Sequence, residues 1–233
     1  MNETESREEI CRIGKSLFDR SYAHATAGNI SVRLDDADGG GYLITPTDAC
    51  LGFLDPARLA RLDASAHQTH GDTASKTLPL HLAIYRASRA FDPNTRCVIH
   101  THSTHCVAAS LHPVLPRFDV ELLDSELLPP ITPYFVMKVG HVPVIDYHRP
   151  GDPEAAERVA EAINRYGQQG TPIRAVMLRR LGPNIWHDSP AAAMATLEEL
   201  EETARLWHIS QPKPVPLEIS QINELRSVFG ARW

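Results

Sequence analysis

Hydrophobic positions along the chain recur in two rhythms, one of three to four residues and one of two. Ile10, Ile13, Leu17, Phe18 and Tyr22 keep the longer step, which predicts a helix over 5–24 with one buried stripe. Residues 29–34 alternate as a strand, the run DDADGGG turns, and 42–45 reads as the returning strand of a hairpin. Helical spacing returns over 78–89, 103–111, 153–168 and 190–208, and short apolar strands are predicted at 96–101, 142–147, 173–178 and 184–187. Pro190 suits a first helical turn, where its missing amide hydrogen has no partner to lose. Within the last long helix, Glu201 stands four residues before Arg205, the mark of a solvated face carrying one favourable pair. From about 210 the chain reads QPKPVPLEIS, an extended proline-rich tail, with a short helix expected over 221–229. Strands interleaved with helices, without repeat or linker, predict one α/β domain over 1–233.

Composition narrows the function classes. At 233 residues, 42% hydrophobic and 22% charged, the chain can bury one substantial core. Its 23 Lys and Arg against 29 Asp and Glu give a net charge of -6, so no basic field draws it to nucleic acid or to a membrane. No apolar run approaches the roughly 18 residues of a membrane helix, and the opening MNETESREEI is acidic where a signal peptide is basic and then apolar, so a cytoplasmic location is expected. Cys11, Cys50, Cys97 and Cys106 show no Cys-x-x-Cys spacing and are expected to be reduced and mostly buried. The glycine run lacks the Gly-Lys-Ser/Thr ending of a phosphate loop and the late Glu of a calcium loop, which leaves a turn.

Histidine is the unusual residue: 12 in the chain, three of them within RCVIHTHSTHC. His100 and His102, two apart at a strand end, point to one face, where two imidazoles form a partial site for zinc, manganese or iron. Taken alone, His-x-His is a weak signal that reads first as two hydrogen-bonded polar residues at a strand end. His105 falls in the first turn of the next helix, behind the site or buried against that helix, and His81 on LPLHLAIY reads as a hydrogen-bonded core residue.

Five segments, AGNISVR (27–33), LITPTD (43–48), SKTLPLHLAIYR (75–86), CVIHTHSTHCVAASL (97–111) and VPVIDYHRPGD (142–152), together resemble the class II aldolase/adducin family over nearly the whole chain. Within it the sequence is most similar to the sugar-acid branch of 3-oxo-tetronate 4-phosphate decarboxylases, beside the fuculose-phosphate aldolases. The resemblance implies a three-layer α/β domain whose central, mainly antiparallel sheet is flanked by helices, and a homotetramer with sites between subunits. It implies that His100 and His102 are two of three metal histidines, holding a divalent metal, zinc first, with manganese or iron as alternatives. That metal would stabilise the enediolate left when a carbon–carbon bond breaks. By the same resemblance Asn29, Thr47 and the Ser75–Lys76 stretch would hold the substrate phosphate, and Tyr134 in PPITPYF would reach a neighbouring subunit's site.

Three positions depart from the family pattern. Thr77 stands where a proton-transferring glutamate follows Ser-Lys, Leu181 where the third histidine precedes glycine, and Asp48 where glycine follows Thr in the phosphate loop. A hydroxyl is no base near neutral pH, leucine binds no metal, and a carboxylate repels phosphate. His187, six residues past Leu181, is the only histidine near the vacant ligand position in sequence, and His148 is expected to be structural. A retro-aldol cleavage depends on the glutamate, whereas a 3-oxo acid loses carbon dioxide without prior deprotonation and needs only its enolate stabilised. The expected activity is therefore decarboxylation, or a related enolate-forming cleavage, of a small 3-oxo or sugar acid, with Lys76 as electrostatic anchor and Thr77, Lys76 and Tyr134 as the groups nearest the chemistry. The alternatives are a non-catalytic binding or assembly protein on the same fold and a repurposed iron-dependent biosynthetic enzyme.

Overall fold

The computed structural model describes residues 2–112, 115–116 and 125–233. Its centre is an eight-stranded sheet in the order β4-β3-β2-β1-β5-β10-β9-β8. The strands are β1 (Asn29–Arg33), β2 (Tyr42–Ile44), β3 (Ala60–Leu62), β4 (Gln68–His70), β5 (Cys97–His100), β8 (Val144–Ile145), β9 (Ala175–Leu178) and β10 (Gly182–His187). Leu115–Pro116 (β6) and Ser125–Glu126 (β7) form a separate two-stranded ribbon. Every neighbouring pair in the main sheet is antiparallel except β8 with β9. The mainly antiparallel sheet expected from the family resemblance is therefore observed.

Among the described residues six α-helices complete the layers: α1 (Glu3–Asp19), α2 (Leu78–Ser88), α3 (Thr104–Leu111), α4 (Pro153–Gln168), α5 (Pro190–Ile209) and α6 (Ile219–Phe229). Alternation along the strands decides which helices go where. Cys97 and Ile99 of β5, with Ile30, Val32, Met177 and Ile185, face a core shared with Ile10, Ile13 and Leu17 of α1 and with Leu197 and Leu200 of α5. Val98, Val176 and Trp186 face the other way, against Ile84 and Tyr85 of α2 and Val159, Ile163 and Tyr166 of α4. Each fully buried aliphatic side chain of these layers contributes about 1.5–3 kcal/mol.

Two boundaries differ from the periodicity. Tyr22 keeps the apolar step of the first helix, yet α1 ends at Asp19, because Ser21 turns left-handed (φ 62) and the Tyr22 amide closes back on the Leu17 carbonyl at 2.8 Å. The strand expected over 142–147 is a strand of the main sheet only at Val144 and Ile145, while Pro143 bridges to Glu126.

Glu201 is not on a solvated face. Its side chain is 5% exposed and accepts from the His105 amide (2.8 Å), the Cys106 amide (3.0 Å) and the His105 ring Nδ1 (2.8 Å), which caps α3 from α5. Arg205 pairs instead with Glu202. The four cysteines are free, with Cys97 and Cys106 buried.

Candidate active site

Strands β1, β5 and β10 are neighbours, and their registers place Asn29, His100 and Asn184 in one row across the sheet. Residues paired directly across antiparallel strands share a face, so all three lie on the α2 and α4 side. Two glycines let the backbone close around this row. A Cβ on Gly28 (φ +91) would stand 2.9 Å from the His100 carbonyl oxygen, and one on Gly182 (φ +155) only 1.9 Å from that of Thr101.

The His100 Nδ1 donates to the Pro183 carbonyl at 3.0 Å. A carbonyl only accepts, so this bond fixes the tautomer and leaves the lone pair on Nε2. His102 follows just past the strand end, its ring 5.0 Å from that of His100 at 68°. Burial pushes the His100 pKa down to about 3, with His102 adding to the effect and the Pro183 bond opposing it. Burial and the neighbouring His24 lower His102 as well. Both imidazoles are thus held in the form that donates a lone pair. His24, whose ring lies 6.2 Å from that of His102, was not anticipated from sequence; it comes from the loop after α1, and no spacing links it to the His-x-His pair.

Asn29 and His100 of this row line a cleft of about 400 Å³ between the N-termini of α2 and α4, with Asn184 buried beside them. Asn29, Thr47, Asp48, Ser75, Lys76, Thr77, His100 and His102, singled out from four separated stretches of sequence, all line it. Hydrogen bonds zip two of those stretches together: the Thr47 amide donates to Thr73 (2.8 Å) and the Ser75 amide to Thr45 (3.2 Å). Ser75 Oγ and Thr77 Oγ1 are 2.9 Å apart, and Lys76 Nζ lies 3.7 Å from Asp48. Asp48 has φ 56, a conformation glycine adopts without strain, which accounts physically for glycine in the family pattern. Leu181 lines the same cleft and offers it only hydrocarbon.

Other predicted residues sit elsewhere. Tyr134 is 59% exposed and does not line the cleft of its own chain. His105 is taken up by Glu201, away from the cleft. His187 pairs across from Cys97, three positions along β10 from Asn184, and bonds Asp188 at 2.8 Å, so it is no substitute for a histidine at Leu181. His81 is fully buried, with Nδ1 2.7 Å from Ser31 Oγ, the core role expected of it. Sequence reasoning passed over Arg149 and took His148 as structural, yet both line the cleft. The Asp152-Pro153 start of α4 was the available signal, since it sets the preceding loop at a helix N-terminus.

Among the described residues no three His, Cys, Asp or Glu side chains come together closely enough to hold a metal ion. What the site offers is two neutral imidazoles, one with its Nε2 bared by a backbone carbonyl. That donor set fits a divalent cation whose other positions fall to water or to ligand oxygens.

Comparison with known proteins places these features in context. Residues 8–208 match the model of the Class II Aldolase and Adducin N-terminal domain. A 3-oxo-tetronate 4-phosphate decarboxylase of Cupriavidus necator is 49% identical over 236 residues, 99% of each chain. One of Escherichia coli K12 is 40% identical over 222 residues, 95% of each. The crystal structure of YgbL from Escherichia coli superposes with a TM-score of 0.81 at 38% identity, over 96% of this chain and 99% of that one. L-fuculose 1-phosphate aldolase, at 21% identity and a TM-score of 0.76, shares the fold.

Proposed function

Because the chain belongs to the class II aldolase and adducin family, we propose that it is a divergent metal-dependent carbon–carbon lyase that decarboxylates a small 3-oxo sugar acid. The observation that carries this reading is the convergence of Asn29, Ser75, Lys76, Thr77 and the His100–His102 pair on one cleft. His100 and His102 would hold a divalent metal, which supplies Lewis-acid stabilisation of an enolate oxygen when bound.

The chain's own groups fit decarboxylation better than aldol cleavage. In a 3-oxo acid the electron pair of the breaking C–C bond moves onto the ketone oxygen as carbon dioxide leaves, so no base has to remove a proton first. Thr77, hydrogen-bonded to Ser75, can orient an oxygen of the substrate but cannot serve as that base. Lys76 brings positive charge to the cleft mouth, where it draws an anionic acid inward. Solvent protonates the product carbon. The assembly in this reading is a homotetramer in which the exposed Tyr134 reaches a neighbouring subunit's cleft.

Elemental analysis of protein purified without chelator tests the metal. The expected result is substoichiometric zinc, manganese or iron that disappears in a His100→Ala/His102→Ala variant. Nil metal, or metal unchanged in that variant, removes this reading and leaves a binding or assembly role.

A further inference from the structure

A cation held by His100 and His102 is one protein ligand short of the usual three, since Leu181 turns only hydrocarbon to the cleft. The sheet register supplies another donor. Asn184 of β10 is paired directly with His100 of β5, so their side chains share a face. Asn184 is fully buried, and among the described residues neither its Oδ1 nor its Nδ2 has a hydrogen-bond partner. Because both atoms are unpartnered, exchanging the amide's O and N changes nothing. A buried amide in this state costs stability that an apolar side chain of similar shape would not.

The His100 ring leans toward the strand that carries this amide. Its Nδ1 bonds the carbonyl of Pro183, the residue next to Asn184, at 3.0 Å. Asn29, whose Oδ1 is also buried and unpartnered, flanks β5 on the opposite side, from β1. His100 is itself only 3% exposed, so a group that shares a cation with its Nε2 need not be open to the cleft. Directly opposed residues have Cβ atoms about 4.5–5.5 Å apart. Metal bonds of about 2.0–2.1 Å from an imidazole nitrogen and about 2.0–2.6 Å from an amide oxygen can be made together across that spacing.

Resting on the lyase reading above, which puts a divalent cation at His100 and His102, we infer that Asn184 is the third protein ligand of that cation, through Oδ1, in the role a histidine at position 181 would otherwise fill. An amide oxygen is a harder donor than imidazole, so two nitrogens and one oxygen move the site's preference from zinc toward manganese. The residue is thus one whose removal stabilises the chain alone and weakens it as a metal protein.

The test is titration of chelator-treated protein with Mn(II), free Mn(II) being read by its electron paramagnetic resonance signal, together with Tm in the presence and absence of the metal. Asn184→Leu is expected to melt higher than wild type without metal. It should nevertheless bind Mn(II) at least about tenfold more weakly and lose most of the rise in Tm that Mn(II) gives wild type. Asn184→Asp keeps the oxygen and adds charge, so it should melt lower without metal and recover wild-type affinity or better. A merely structural residue would move Tm in both variants and Mn(II) affinity in neither. Unchanged affinity in Asn184→Leu, a loss in Asn184→Asp equal to that in Asn184→Leu, or no Mn(II) binding by wild type would overturn the inference. Binding that persists in His100→Ala/His102→Ala would overturn the inference and the cation site beneath it together. Binding in the expected order without carbon dioxide release would count against the lyase reading and leave Asn184 as a ligand.

Discussion

Replacing Glu201 by alanine removes a buried carboxylate that holds α3 to α5. Two backbone amides, those of His105 and Cys106, lose an ionised acceptor, and the Cys106 amide is buried. Hydrogen bonds to charged groups contribute about 1.5–3 kcal/mol each, and breaking a buried charged cluster by removing one partner costs about 3–5 kcal/mol. The expected loss for Glu201→Ala is therefore about 3–5 kcal/mol, a fall in Tm of roughly 6 °C or more for a chain of this size. Glu201→Gln keeps an acceptor and the shape, so it should lose about 1–2 kcal/mol. The pH dependence has a definite sign. Burial raises the Glu201 pKa, but bonds from the His105 and Cys106 amides and the His105 ring outweigh it and hold the carboxyl below its usual range. Its stabilisation is then fully present above the ordinary carboxylate range and disappears as pH falls through the lower folded-state value. Urea denaturation of the three proteins between pH 8 and 4 measures this. A difference below about 0.5 kcal/mol for Glu201→Ala, the ordinary result at a solvated surface, would refute the reasoning.

Four further substitutions have definite expected outcomes. Asn184 is fully buried with both amide atoms unpartnered, so Asn184→Leu should stabilise the fold by about 1–3 kcal/mol, read as a higher Tm. Gly182→Ala would drive a Cβ into the Thr101 carbonyl, and soluble yield or Tm should collapse. Burial pushes the His81 pKa down to about 3, so the unfolded chain takes up a proton there between pH 6.5 and 3 and the folded one does not; stability falls with pH in that window, and His81→Gln should flatten the denaturation difference between pH 7 and 5 by about 2 kcal/mol. Thr77→Glu with Leu181→His should raise both metal content and lyase rate, since both positions already line the cleft.

Much of the fold was legible because apolar spacing and caps agree locally: α4 spans the predicted residues, with Asp152 as its cap and Pro153 in its first turn. β3 and β4 escaped notice, being three residues each, with β4 wholly exposed and so without a buried rhythm to read. For the site, the family resemblance gathered residues from four segments that local spacing could not connect. What it could not supply were contacts made only in three dimensions. Glu201 looked like one carboxylate in an acidic run, and nothing in that run marks it as the partner of an amide 96 residues away. Asp48 was read as a charge set against phosphate, whereas its left-handed backbone and its pairing with Lys76 emerge only from the fold.

Release of carbon dioxide from a small 3-oxo sugar acid tests the central claim most directly, measured on wild type supplied with zinc, manganese or iron(II) and on the His100→Ala/His102→Ala variant. The expected result is slow, metal-dependent release from wild type, about 10²–10⁴-fold below an enzyme that keeps its acid–base group, and none above background from the variant. Equal rates in the two proteins, or no release by wild type with any of the three metals, would contradict it.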